Sequence, residues 1–350
     1  MPVRNDGVLV PCVFSQSDDD ATMAAKNGPR TTLPDARERP RFTGVATFCR
    51  FPLIESVLPQ QRPVDWAIYG VPFDGGVTYR PGARFGPRAI RDASQYIKPV
   101  HLELGVNIAE IFSLADAGDA PIKPYSCKDT IDAACGFALA LGDPAITKLL
   151  AVGGDHSIAY ANIKATWQRR GRPKRGLAML HLDAHLDTVE SVWGEKWGHA
   201  SPLIRAVEDG LIDPSRMLSA GIRGPQNATA DLDFARGHGV EVVTYDQWRS
   251  GEGTARLDAF KKRLGDDEVY LSFDIDCVDP AYAPGTGTPS CGGFTSADIF
   301  ALLRRFASVN LAGADVVEVL PDRDPSGVTA LLASHIIFEI LCLAAAHSNR

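Results

Sequence analysis

The chain has 350 residues and a mass of 37.6 kDa, and its 45% hydrophobic content can bury a large core, as one big α/β domain or as two smaller ones. Its formal net charge is -7, with Lys+Arg 36 interspersed among Asp+Glu 43, which excludes a basic face for nucleic acid or an anionic membrane and better suits a small cationic partner. No apolar run approaches the roughly 20 residues that span a bilayer, MPVRNDGVLVPC lacks the apolar core of a signal peptide, and the seven scattered cysteines include no Cys-x-x-Cys pair, so a cytoplasmic protein with reduced thiols is expected.

In chain order, residues 14 to 41 are rich in charge, proline and small polar residues and show no helical or alternating period. They read as an extended arm, residues 1–41, laid on a neighbouring subunit, ahead of one domain over 42–350. Short continuous apolar runs bounded by Gly and Pro then recur: DWAIYG (65–70), KLLAVGG (148–154), GLAMLHLD (176–183), RMLSAGIR (216–223), VEVVTY (240–245), EVYLSFDID (268–276) and GADVVEV (313–319). Runs this continuous predict strands buried on both faces of a parallel sheet. Between them, DTIDAACGFALALG (129–142) opens acidic and closes on glycine, and TSADIFALLRRFA (295–307) offers Thr295 as an N-cap, so both predict helices. Alternating strands and helices imply right-handed crossovers in one doubly wound, mainly parallel sheet with helices on both faces. The ligand site of such a sheet lies beyond the carboxyl ends of its strands.

Three strand ends carry unusual polar clusters. KLLAVGG runs into Asp155 and His156, GLAML into HLDAHLDT, and EVYLSF into Asp274 and Asp276. Carboxylates crowded at a partly buried rim must protonate, pair with cations or bind metal. No Lys or Arg lies inside any of the three clusters, so a metal is the natural counterion. His156, Asp183, His185, Asp187, Asp274 and Asp276 are the candidate ligands, with nitrogen and oxygen donors that suit manganese, nickel or zinc. Four aspartates carry about four negative charges, which two divalent ions would cancel. Water bridging two such ions ionises near neutral pH, the mode of metal-assisted hydrolysis.

GGDHS (153–157), DAHLD (183–187) and SFDIDCVDPAYAPGTGTP (272–289) resemble the three signatures of the ureohydrolase family, which includes arginase and agmatinase. The resemblance runs from about residue 42 to near residue 343, and VPFDGGVTYRPGARFGPRAIR (71–91) is most similar to the agmatinase branch. The resemblance implies an arginase-like fold with an eight-stranded sheet. It also implies that His156, Asp183, Asp187 and Asp274 hold one metal and His185, Asp183, Asp274 and Asp276 the other, with manganese first and nickel second. By the same similarity His199, in WGHASP, shuttles a proton to the leaving amine. Glu318, in DVVEVLPDRD, holds the substrate guanidinium, for which a carboxylate is the apt partner. The implied reaction is hydroxide attack on a guanidino carbon, collapse of the tetrahedral intermediate, and release of urea and an amine. Trimeric and hexameric relatives imply a homotrimer or homohexamer, with a hetero-oligomer as the alternative.

The substrate is less constrained than the reaction. Members of this branch usually carry His-Gly-Thr at the shuttle position, whereas His199 is followed by Ala200 and Ser201. In the same loop, Trp193 and Trp197 either form an aromatic wall that favours an N-alkylated cation, or pack beneath the loop or at a subunit contact. Asp74, in the DGG loop, is positioned to accept a cationic tail, and no arginine stands out for a substrate carboxylate, which favours agmatine or a guanidine with an uncharged tail. Resemblance also admits guanidinobutyrate, guanidinopropionate, and nickel-dependent hydrolysis of guanidine or dimethylbiguanide. A deacetylase-like or formimino-group hydrolase and a noncatalytic accessory subunit are the readings of other classes. Retention of both DAHLD and DID argues against the first, and the full ligand set against the second. His181 reads as a supporting or core histidine, His238 and His347 as surface residues, His335 as a helix residue, and PGTGTP (284–289) as a turn-rich loop without phosphate-binding context.

Overall fold

The computed structural model describes residues 29–307 and 309–348. One sheet contains β1 (Trp66–Val71), β4 (Leu114–Asp119), β5 (Lys148–Gly153), β6 (Leu177–Leu182), β7 (Ile212–Ile222), β8 (Glu241–Thr244), β9 (Val269–Asp274) and β10 (Leu311–Val317), in the order β4-β1-β5-β10-β9-β6-β7-β8. Every pairing in it is parallel. A separate antiparallel pair, β2 (Val100–His101) and β3 (Val106–Asn107), stands outside it. The eight-stranded, helix-flanked architecture agrees with the expectation, and seven of the eight strands coincide with the apolar runs. The eighth, β4, reads LADAGD; its second half is partly exposed at the sheet edge, so its sequence lacks the continuous apolar run of a central strand.

Alternate side chains of each strand feed two cores. Ala178, Leu180 and Leu182 of β6 join one core and Leu177 and Met179 the other, as a period-two strand buried on both faces requires. Helices Gly86–Ala93, Glu252–Leu264, Ser296–Arg305 and Val328–Ser348 cover the first face, and Cys127–Ala140, Ala159–Arg169 and Pro202–Glu208 the second. Thr295 caps its helix as expected, accepting from the Asp298 amide at 3.1 Å. The helix expected from 129 begins two residues earlier, with Ser126 at its cap.

One expectation is corrected. Helix Val328–Ser348, with mean hydropathy 2.1, is long and apolar enough by composition to cross a membrane, contrary to the sequence reading. It is apolar all round because it is a core helix, with 78% of its most apolar stretch buried against the sheet and its neighbours. The arm lies outside the described residues up to position 28, and its described end rests on the chain's own body. There the Thr31 amide donates to the Ala109 carbonyl at 2.8 Å, the Thr31 hydroxyl donates to the Phe112 carbonyl at 2.6 Å, and Arg30 pairs with Asp65 at 2.8 Å.

A buried polar line ties the second helical layer to the sheet. The Tyr69 hydroxyl donates to Asn162 Oδ1 at 2.9 Å, and Asn162 Nδ2 donates to the Tyr270 hydroxyl at 2.7 Å and the Ala314 carbonyl at 2.8 Å. Replacing Asn162 with Ala would strand these groups without water. It is expected to lower unfolding stability by about 1–3 kcal/mol, read from urea denaturation followed by circular dichroism. An unchanged midpoint would show that the line contributes nothing to stability.

Candidate active site

The carboxyl ends of β5, β10, β9 and β6 are neighbours in the sheet and bring the three clusters to one rim. The turn after β5 is forced by close backbone approach. A Cβ on Gly154 would stand 2.0 Å from the Phe73 carbonyl oxygen, so only glycine fits. The turns then follow one rule. Asp155 Oδ1 accepts from the Ser157 amide at 3.0 Å, Asp183 Oδ1 from the His185 amide at 2.6 Å, and Asp274 Oδ1 from the Asp276 amide at 2.8 Å. Each aspartate thus commits one oxygen to the amide two residues on, an Asx turn. The residue skipped in the last two turns, Ala184 or Ile275, is fully buried in the core.

The remaining oxygens of the last two turns converge on His156. Its Nδ1 lies 2.8 Å from Asp187 Oδ2 and 3.2 Å from both Asp183 Oδ2 and Asp274 Oδ2. His185 Nδ1 lies 3.1 Å from Asp276 Oδ2 and 3.5 Å from Asp183 Oδ1, so Asp183 is common to both imidazoles. All six predicted ligands are therefore brought together. His156 Nε2 is 2.9 Å from the Ser272 hydroxyl, which donates to Asp315 Oδ1 at 2.7 Å. The serine oxygen is left to accept from Nε2–H, and the lone pair of the other ring nitrogen, Nδ1, faces three carboxylates without a hydrogen bond of good geometry. A buried lone pair facing three anionic oxygens requires a proton or a metal ion between them, and this donor set fits a divalent cation.

His181 also comes within ligand distance of His156 and Asp183. Both its nitrogens are engaged, Nε2 with Asp183 Oδ2 at 2.9 Å and Nδ1 with the Ser219 hydroxyl at 3.1 Å, so it supports Asp183, as its sequence position predicts.

The ionisation pattern follows from crowding. Burial would depress the His156 imidazole, but the carboxylates of Asp183, Asp187 and Asp274 outweigh it and hold the group well above its usual value. Burial likewise opposes charging of His185, yet Asp276 and Asp183 raise it to about 12. Asp183 is buried too, but its close contacts with His156, His181 and His185 keep it well below the carboxylate range. Asp274 is driven the other way, well upward, by burial and by the neighbouring charges of Asp276 and Asp183.

Beside this cluster is a cavity of about 230 Å³, lined among others by Thr78, His185, Asp187, His199, Gln226, Asn227, Asp231 and Asp274, with no Lys or Arg among its described lining. His199 Nδ1 lies 2.9 Å from Glu318 Oε1, which also accepts from the His156 amide at 2.8 Å. Burial would lower the His199 imidazole, but Glu318 dominates and raises it to about 9. Glu318 follows β10 in left-handed backbone (φ 66°), is buried behind the cavity wall, and keeps Oε2 without a partner.

Two predicted substrate contacts lie elsewhere. Asp74 is buried, accepts from the Gly82 amide at 2.6 Å and pairs with the Arg84 guanidinium, so its charge closes its own loop and is not offered to a substrate. Trp197 packs beneath the loop, edge-on to Tyr160 at 5.1 Å with Lys128 Nζ 5.2 Å from its ring, while Trp193 is 84% exposed; neither lines the cavity. The sequence reading missed Thr78, Gln226, Asn227 and Asp231. Thr78 stands four residues past the DGG loop's Asp74, and the other three lie in PQNATAD, which has no period or motif to mark it.

Comparison with known proteins agrees with the geometry. A family model described as Arginase family matches residues 64–343. The chain is 42% identical to proclavaminate amidinohydrolase of Streptomyces clavuligerus, over 88% of this chain and 95% of that protein. It is 39% identical to guanidinopropionase of Pseudomonas aeruginosa, over 90% and 96% respectively. Among solved structures, that of the S. clavuligerus amidinohydrolase superposes with a TM-score of 0.81 at 40% identity, covering 88% of this chain and 99% of that one. A hypothetical agmatinase from Burkholderia thailandensis gives 0.78 at 34% identity, covering 89% and 94%.

Cation binding through His156 and His185 must displace the protons that the carboxylates hold there. Divalent-ion affinity of chelator-stripped protein is therefore expected to rise between pH 6 and 9, by about tenfold per unit for each proton displaced. A competition titration against a fluorescent chelator measures this; a flat profile would remove the imidazoles from the ligand set.

Proposed function

The chain belongs to the arginase family and is an amidinohydrolase, a hydrolase of guanidino carbon–nitrogen bonds, and we propose that it releases urea and an amine from a small guanidino compound of the agmatine type. The observation that carries the reading is the sharing of Asp183 between two imidazole–carboxylate groups beside a cavity free, among its described lining, of Lys and Arg.

In this reading His156, Asp183, Asp187 and Asp274 hold one divalent cation and His185, Asp183, Asp274 and Asp276 the other. Bound there, two such ions supply a Lewis acid and a water ionised near neutral pH. Manganese is the first choice and nickel the second, since the nitrogen and oxygen donors accept either. His199 borders the cavity and is kept protonated by the neighbouring Glu318 carboxylate, which suits it to protonate a leaving amine. Glu318 lies behind the cavity wall at His199, and in this reading its uncommitted Oε2 receives a guanidinium N–H that reaches past that wall, a charge-assisted contact.

The tail of the substrate meets Gln226, Asn227 and Asp231. With Asp74 closed on Arg84, Asp231 is the carboxylate at this end of the cavity, which favours an ammonium or uncharged tail over a carboxylate. We place the active chain in a homotrimer or homohexamer, by analogy with the arrangement of relatives.

Urea release from agmatine, 4-guanidinobutyrate, 3-guanidinopropionate, guanidine and dimethylbiguanide, with manganese or nickel present, tests the reading. Agmatine is expected to lead; no urea from any of the five would end it. His199→Asn is expected to lower kcat by about 10²- to 10⁴-fold with metal content unchanged, whereas Asp183→Ala should lose metal and activity together. Metal analysis alongside the assay separates the two outcomes.

A further inference from the structure

Both ring nitrogens of His199 have partners, and one residue meets the second nitrogen twice. Nδ1 lies 2.9 Å from Glu318 Oε1, and a carboxylate can only accept, so Nδ1 carries a hydrogen. Nε2 is then the nitrogen whose proton comes and goes. The Thr78 main-chain N–H donates to Nε2 at 3.0 Å, and the Thr78 hydroxyl oxygen stands 2.8 Å from the same atom. An amide N–H satisfies only an unprotonated nitrogen; a hydroxyl oxygen can accept from a protonated one.

We propose that Thr78 is the positioning residue of His199, holding its imidazole in one orientation in both charge states, by amide donation to the neutral ring and hydroxyl acceptance from the imidazolium. The proposal rests on His199 as the proton carrier. In the charged state Nε2–H donates to Thr78 Oγ1. Once that proton has passed to the leaving amine, the freed lone pair accepts the Thr78 N–H. The ring therefore keeps its place while its charge changes, and no partner has to be found from solvent.

The loop that carries Thr78 is fastened for this task. The His199 amide donates to the Gly76 carbonyl at 2.9 Å, and the Gly76 amide donates to Asp155 Oδ2 at 2.8 Å, which pins the loop to the turn after β5. A Cβ at position 76 would meet Asp155 Oδ2 at 3.1 Å and the His199 amide nitrogen at 3.2 Å, so the approach favours glycine. The charged groups facing His199 are Glu318 after β10, Asp187 after β6 and Asp155 after β5, all acidic; Thr78 supplies the neutral partner.

Thr78→Val keeps the amide and the branched shape but removes the acceptor. It is expected to lower kcat roughly tenfold with KM changed less than about threefold. The alkaline limb of the kcat profile should move to lower pH, because the protonated ring has lost its partner. Thr78→Ser should restore both. Nitrogen-15 NMR of the ring, with the His199 signals assigned through His199→Asn, should show the Nδ1–H tautomer in the unaltered protein and a lower protonation midpoint in Thr78→Val. A Thr78→Val enzyme with unaltered kcat and alkaline limb, a Ser variant no better than Val, or an Nε2–H tautomer would overturn the proposal. If the unaltered protein released no urea at all, the functional reading would fail. The NMR comparison alone would then decide the role of Thr78, an unshifted midpoint counting against it.

Discussion

The site depends on holding four aspartate carboxylates within contact of two imidazoles in a desolvated rim, an arrangement that repels itself. The chain meets this by anchoring before it concentrates. Asp183 and Asp274 each fix one oxygen on a backbone amide two residues on, and Asp276 Oδ1 accepts from the Ala184 amide at 3.1 Å, which ties the β6 turn to the β9 turn. A fixed amide dipole costs no reorganisation and leaves the second oxygen aimed at the cluster. The spacing of DAH and DID thus has a mechanical origin: the polar residue, its amide partner and the buried residue between them are one turn.

This anchoring works only because the strands beneath are parallel and central. Four adjacent strands present the same end to the same rim, and each is buried throughout its length near that end. The rim cannot slide against the sheet without breaking the period-two packing of both cores. Behind His156 the support continues inward through Ser272, Asp315, Tyr270 and Asn162 to Tyr69, hydrogen-bonded at every step. An imidazole at the end of such a line has its tautomer set from the core side, which leaves Nδ1 free to face the carboxylates.

The parts legible in the sequence are those with local causes. Seven strands announce themselves as apolar runs, and all six candidate ligands stand at or shortly after the carboxyl ends of such strands, where the parallel sheet must put a site. What escaped depends on partners distant in sequence or on chain direction after a turn. The edge strand Leu114–Asp119 owes its pairing to β1 and not to its own pattern. The charge of Asp74 is claimed by Arg84, ten residues on, and Trp197 is drawn under its loop by Tyr160 and Lys128; no spacing rule reports either. Thr78 was hidden for the same reason, since its meaning is set by a histidine 121 positions away.

The same division explains why identity sorts substrates poorly among these proteins. The carboxylates and imidazoles of the cluster are fixed by strand-end turns and the two cores, so altering them disturbs the sheet itself. The groups along the rest of the cavity wall, Gln226, Asn227 and Asp231, lie on the segment after β7, outside the sheet. Relatives named proclavaminate amidinohydrolase, guanidinopropionase and agmatinase accordingly stand at 42%, 39% and 38% identity to this chain, a spread too narrow to rank their substrates. A loop such as PQNATAD can exchange one tail contact for another at small structural cost. The carboxylates and imidazoles are therefore held by the sheet, and under the proposed function a few loop side chains along the cavity decide which compound is taken.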